Sequence, residues 1–207
     1  MKERPILFQG PMVRAILDGR KTQTRRIVKP QPPRSVRTMG LHPLESGRLG
    51  YFDDGGKEHP CPYGQPGDRL WVRETFLAGI EFDGNGMPTE NERVWYRATE
   101  PDLAWYNGES DFPSENPPWK PSIHMPRWAS RITLDVTGVR VERLHDISDA
   151  DVWAEGWESV SLGNCDHKDF AALWESINGP ASWHANPWVW VVEFKRVEPR
   201  PGAGEGK

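Results

Sequence analysis

Apolar positions along this chain recur with two periods, and the changes from one period to the other mark its elements. Ile6-Leu7-Phe8 is a short apolar run after Pro5 and predicts a strand. Val13, Ile16 and Leu17 then recur at helical spacing, with Pro11 suited to a first turn and Gly19 to a stop. Beyond Gly19 the pattern alternates. In a strand over 21–27, Lys21, Gln23, Arg25 and Ile27 face one way, and Thr22, Thr24 and Arg26 the other. Parity is loose at a strand's start, so Lys21 can swing toward Thr24. Alternation returns after the Gly67-Asp68 turn, where Leu70, Val72 and Glu74 oppose Trp71, Arg73 and Thr75 in a strand over 69–76. It recurs at 93–97. Two runs, 132–136 and 139–144, flank Gly138 and read as a hairpin. In the last strand Trp188, Trp190, Val192 and Phe194 share a face.

Two further helices are marked by their ends. Ser148 is placed to cap a helix over 149–155, Asp151 completes a capping-box pattern, Ile147 and Val152 form a hydrophobic staple, and Gly156 ends it. Phe170, Leu173, Trp174 and Ile177 form the buried stripe of a helix over 167–178, capped by Asp166 and ended by Gly179-Pro180. Between these elements lie Pro- and Gly-rich excursions at 29–67 and 101–121 and a hairpin-like loop at 84–91. Tyr51, Phe52 and Tyr63 partly order the first excursion. Trp105, Tyr106 and Trp119 pin the second or stack on a base. The tail, 199–207, reads as disordered. Eleven tryptophans, twenty prolines and twenty glycines suit a loop-rich α+β chain with a few large aromatics in its core, and not a helical bundle.

Charge singles out one segment. The formal net charge is -4, yet Gly19-Arg20-Lys21-Thr22-Gln23-Thr24-Arg25-Arg26 packs four cations and two hydroxyls into eight residues. A dense positive spot on an acidic chain points to a local site. A lysine beside a threonine hydroxyl is a base-nucleophile pair if burial or neighbouring cations lower the lysine's pKa. Arg25 and Arg26 bring forked donors suited to phosphate or a carbonyl edge. The other reading of the octet is a solvated basic strand. Glu155 closes a helix where the dipole disfavours negative charge, unless a cation such as Lys21 offsets it. Glu74, on the apolar face of its strand, is a second candidate carboxylate or else a partner for Arg26 or Arg131. Arg127, Trp128 and Arg131 can add to a phosphate-and-base surface.

The run Ile16-Leu17-Asp18-Gly19-Arg20-Lys21-Thr22-Gln23-Thr24-Arg25-Arg26 resembles the opening signature of the ASCH family, within the PUA-like superfamily. Gly67-Asp68-Arg69-Leu70-Trp71-Val72, Ala154-Glu155-Gly156 and Trp188-Val189-Trp190-Val191-Val192-Glu193-Phe194 resemble its later pieces, in order. The resemblance covers about half the chain. It implies a mixed PUA-like β-barrel with short flanking helices: a single domain over 1–198 with insertions at about 29–66 and 98–122. Such insertions are similar to those of the larger, phage- and prophage-borne branch. Compact members hydrolyse N(4)-acetylcytidine, and the resemblance carries their lysine, threonine and glutamate onto Lys21, Thr24 and Glu155. Arg26 matches their arginine two places after the threonine. The residue between, usually apolar there, is Arg25 here.

The expected activity is therefore hydrolysis of an N-acylated cytidine or related nucleoside, without a cofactor. The alternative is a module that binds modified bases in single-stranded RNA or DNA, with Arg20, Arg25, Arg26, Glu74, Arg127, Trp128 and Arg131 as the binding residues of either reading. His59-Pro60-Cys61 and Cys165-Asp166-His167 hold a zinc inventory at unsuitable spacing, so no metal is expected. Two cysteines make no disulfide framework, and no apolar run reaches transmembrane length or forms a signal peptide. These features imply a cytoplasmic location with no membrane partner, and the resemblance to the phage- and prophage-borne branch implies a bacterial host cell.

Overall fold

The computed structural model describes residues 1–33, 36, 39–53, 55–82, 87–105, 117–157 and 167–198. Its strands are β1 (Glu3–Leu7), β2 (Gln23–Ile27), β3 (His42–Pro43), β4 (Leu49–Phe52), β5 (Glu58–Pro60), β6 (Arg69–Arg73), β7 (Phe76–Phe82), β8 (Pro88–Tyr96), β9 (Thr133–Arg143) and β10 (Trp188–Arg196). Its α-helices are α1 (Gly10–Leu17), α2 (Asp149–Ala154) and α3 (His167–Asn178). The class is α+β. Tyr106, Cys165, Asp166, the tip of the 84–91 loop and the tail over 199–207 lie outside the described residues.

A five-stranded sheet has the order β1-β6-β9-β10-β2, beside a three-stranded β3-β4-β5 sheet and a β7-β8 pair. The expected closed barrel is thus corrected: among the described residues the large sheet is open, with β1 and β2 as its edges. The 29–67 excursion also differs from its reading as irregular, because it carries β3, β4 and β5. Gly50 makes that sheet's close approach possible. A β-carbon there would meet the His59 carbonyl at 2.5 Å and Pro60 Cα at 2.7 Å.

The hairpin expected around Gly138 is corrected as well. β9 runs straight through it as one eleven-residue strand. Opposite it, Glu193 pairs with Gly138 and Phe194 with Val136, leaving Thr137 as the extra residue of a bulge. Glycine fits because a β-carbon would sit 2.5 Å from Glu193 Oε2. Alternation cannot separate a bulged strand from a hairpin, since a lone glycine suits both. The strand expected over 69–76 is likewise two strands, β6 and β7, with Glu74 and Thr75 between them.

The chain divides into two compact units. One comprises Met1–Arg4, Ala15–Leu70 and Leu134–Lys207; the other comprises Pro5–Arg14 and Trp71–Thr133. In the first, β10 is buried on both faces, with Trp188 to Val192 all at 4 % exposure or less. Val189 and Val191 pack with Val152 of α2 and with Phe170 and Trp174 of α3. Ile27 adds to that cluster from β2. In the second, Phe76, Met125 and Ala129 form a small core flanked by Ala78, Val94 and Tyr96.

Helix α2 is short, so its end chemistry matters more than its propensity. Ser148 accepts from the Asp151 amide, and the Asp151 carboxylate accepts from the Ser148 amide, closing the capping box read in the sequence. A Ser148→Ala variant is expected to lose about 1 kcal/mol of unfolding free energy. Urea denaturation with an unchanged m value checks it; an unaltered midpoint would show that the cap does not hold α2.

Candidate functional site

All the parts of the candidate site belong to the first unit. Register fixes which side chains share a face. Gln23, Arg25 and Ile27 of β2 align with Glu193, Val191 and Val189 of β10, which align in turn with Gly138, Arg140 and Glu142 of β9. This is the face that α2 and α3 cover. Thr24 and Arg26 align with Val192 and Trp190, so they lie on the opposite face.

Lys21 precedes β2 and is held separately. It forms an isolated antiparallel bridge with Glu155, flanked by the Thr22 amide donating to the Ala154 carbonyl at 2.8 Å. Gly156 makes that approach possible. Its φ is +83°, and a β-carbon would lie 2.7 Å from Lys21 Cβ and 2.8 Å from Ala15 Cβ. Arg20 donates to the Gly156 carbonyl at 3.0 Å and pairs with Asp18.

The Lys21 side chain is wholly buried, and its Nζ lies 2.6 Å from Glu155 Oε2 and 2.9 Å from the Glu155 carbonyl. Arg25, equally buried, takes the other carboxylate oxygen, Oε1, at 3.2 Å. It also reaches Glu142 at 2.6 Å and Asp151 at 3.3 Å. Arg140 extends the network to Glu142 at 2.8 Å, to Asp151 at 2.7 Å, and to Glu193. Gln23 Nε2 donates to the Asp151 carbonyl and carboxylate at 2.8 and 2.9 Å. Arg25, which replaces an apolar side chain in the pattern it resembles, is thus neutralised by three carboxylates. Removing one member of such a buried network costs about 3–5 kcal/mol, because its partner is left charged and unpaired.

The network tunes its members differently. Burial lowers the pKa of Lys21; Glu155 opposes that, while Arg26 and Arg25 add to it. Burial pushes Asp151 up, but hydrogen bonds from Ser148 and Gln23 and the charge of Arg25 outweigh it, so the carboxyl ends well below the usual range. Burial lowers Arg26, with Tyr63 and Glu155 acting against it.

On the face of Arg26 a cleft of about 530 Å³ opens, lined chiefly by Arg26, Lys29, Tyr51, His59, Tyr63 and Trp190. That volume suits a small organic ligand. Tyr51 stacks on His59 with centroids 4.8 Å apart and planes 12° from parallel, and lies 5.9 Å from Trp190. Asp53 holds the His59 ring at 2.8 Å. Sequence reading assigned Tyr51 and Tyr63 to ordering the excursion and overlooked Lys29, His59 and Trp190 as a group. The shared parity of Arg26 and Trp190 was the available signal, but their cross-strand register was not.

The remaining sequence candidates belong to the second unit. Glu74 is buried and bound at both oxygens by Arg131, at 3.0 Å each. Burial raises its pKa against the pull of Arg131. Arg131 also covers the Tyr96 ring at 3.9 Å and donates to Thr99. Arg127 lies over Trp71, and Trp128 is 71 % exposed. Of the four residues weighed for zinc, Cys61 and His167 are both in the first unit; Cys61 is buried, which pushes its thiol up to about 11, and His167 pairs with Asp149. Among the described residues no group of three or more His, Cys, Asp or Glu is placed to hold a metal ion, and no helix is long and apolar enough to cross a membrane.

No family model and no curated protein matches this sequence. Two solved structures resemble the chain. An ASCH domain from Lactobacillus crispatus JV V101 aligns with a TM-score of 0.40 and 11 % identity, covering 94 % of this chain and 79 % of the other. A DUF984 protein from Enterococcus faecalis V583 aligns with a TM-score of 0.39 and 11 % identity, covering 100 % of this chain and 86 % of the other. Likenesses this weak assign neither a fold nor an activity.

The depressed Lys21 pKa has a measurable sign. Between the lowered folded value and the ordinary 10.5, the unfolded chain binds the proton more readily than the folded one. The lysine therefore contributes a rise in stability as pH climbs through that window. Lys21→Met should flatten the rise, as followed by urea unfolding at several pH values between about 7 and 10; an unchanged slope would place the amine in a solvated setting.

Proposed function

We propose that this chain is an ASCH-like amidohydrolase that releases an acyl group from the exocyclic amine of a cytidine-type nucleoside. The observation that carries the reading is the buried Lys21 amine, 2.6 Å from Glu155, with Arg26 acting on both and lining the aromatic cleft. A desolvated lysine is the form of amine that can serve as a base near neutral pH.

In this reading the nucleobase enters the cleft against Tyr51, Tyr63 and Trp190. The neutral Lys21 amine takes the Thr24 hydroxyl proton, and Thr24 Oγ attacks the acyl carbonyl. Arg26 steadies the oxyanion of the tetrahedral intermediate. Its collapse breaks the C–N bond, and the leaving amine takes the proton now on Lys21, with Glu155 as its relay. Water then attacks the threonine ester, giving the free carboxylic acid and restoring the hydroxyl. Thr24 lies on the Arg26 face of β2, so the step requires the Lys21 amine to reach around the start of the strand.

A second reading has its own support in the Tyr51–His59 stack beside Trp190. A cleft of this kind binds a base without any reaction, because stacking is tolerant of base identity. Incubation with N(4)-acetylcytidine, with cytidine release followed by chromatography, separates the two. The hydrolase reading expects turnover that falls about 10²- to 10⁴-fold in Thr24→Ala and Lys21→Ala. Retained activity in a Thr24→Ser variant guards against a loss caused by misfolding. Absence of turnover in the unaltered protein, with cytidine still bound, would leave the binding module.

A further inference from the structure

The cleft on the Arg26 face has a charge character that a neutral nucleoside does not use. Its lining carries Arg26 and Lys29, the imidazole of His59, two phenols and the Asn178 amide, and no carboxylate among the described residues. Asp53, which holds His59, is not among the lining residues. This concentration of donors stands on a chain of formal net charge -4. Two other arginines of the same unit, Arg25 and Arg140, are each paired with three carboxylates. Lys29 makes no ion pair among the described residues and is exposed at the cleft. Tyr63, half-buried in the same wall, has no hydrogen-bond partner for its hydroxyl among the described residues.

We infer that the cleft is built for a ligand bearing a phosphate: a nucleotide or a phosphodiester-linked residue, whose base lies along Tyr51 and Trp190 and whose phosphate is held by Lys29 with Arg26. This rests on the reading of the cleft as a nucleobase site and adds the substrate class to it. A guanidinium in a desolvated wall gains more from an incoming anion than one in open water, since the attraction is screened less. An exposed lysine at the same opening supplies a mobile point charge that follows a phosphate without demanding one geometry. The volume, about 530 Å³, leaves room for a sugar and phosphate beyond a stacked base.

Binding measured by calorimetry on the full chain tests this without requiring turnover. The ligands are cytidine, cytidine 5′-monophosphate, cytidine 3′-monophosphate and a short cytidine-containing RNA, at two salt concentrations. One or both monophosphates should bind at least about tenfold more tightly than cytidine, and the gain should shrink as salt rises. In Lys29→Ala the ratio of monophosphate to cytidine affinity should fall toward one. Lys29 is exposed, so this variant is expected to fold; Lys29→Arg should restore most of the ratio. RNA binding tighter than either monophosphate would identify a polymer as the source of the phosphate, and equal binding a free nucleotide. Equal affinity for cytidine and both monophosphates, a ratio untouched by Lys29→Ala, or no binding by any of the four would overturn the inference. Turnover of N(4)-acetylcytidine with no phosphate preference would overturn this inference and leave the hydrolase reading standing. Phosphate-dependent binding without turnover would do the reverse.

Discussion

A primary amine removed from water and set against a carboxylate is the constraint around which the first unit is arranged. Lys21 cannot be solvated where it stands, so its surroundings must supply both a partner and a limit on that partner's charge. Glu155 provides the partner. Arg25 takes the second oxygen of the same carboxylate, so Glu155 is shared rather than dedicated. Arg25 in turn leans on Glu142 and Asp151, and both of those are shared with Arg140. The result is a lattice of alternating charges across β2, β9 and α2, in which Arg25, Arg140, Glu142, Asp151 and Glu155 each have more than one charged neighbour. Desolvation offsets most of the attraction in such a lattice, so its net contribution to stability is small even though removing one member is costly.

The route by which the chain reaches this arrangement is local. A short capped helix, a glycine at positive φ and one backbone bridge bring residues 134 positions apart into contact. The capping box sets where α2 begins and Gly156 sets where it turns away, leaving Glu155 at the closing end. Little of this depends on long regular elements. A six-residue helix would be unstable alone, and it persists here because Val152 is packed against Val189, Val191, Phe170 and Trp174.

What was legible in the sequence follows from the range of the interactions involved. The capping box at Ser148, the stop at Gly156 and the opposing faces of Gln23 and Thr24 are set within a few residues, and they are found as read. The Lys21–Glu155 contact had one local signal, a carboxylate at a helix end that calls for a cation, and the choice of Lys21 was strengthened by reading two motifs as parts of one pattern. Bulge and hairpin around Gly138 could not be told apart, because the distinction lies in the partner strand, at Glu193 and Phe194. The cleft was legible only in pieces. Tyr51 and His59 come from short strands inside a Pro- and Gly-rich excursion with no periodicity, and only their direct pairing across β4 and β5 brings the rings together. Sheet closure was an expectation of family resemblance, and edges are properties of topology that residue pattern does not encode.

One consequence of the strand order concerns self-association. β2 borders the open sheet, and a border strand offers its backbone to any neighbouring molecule with a free edge of its own. An intruding strand would have to settle beside a segment whose Gln23 and Arg25 side chains are already buried under α2, so it would gain no contact with either. The start of the strand is further obstructed, since the Thr22 amide is already taken by the end of α2. The short stretch that carries Lys21 and Arg25 is thus also a margin of the sheet, and its first backbone donor is already occupied from within the chain.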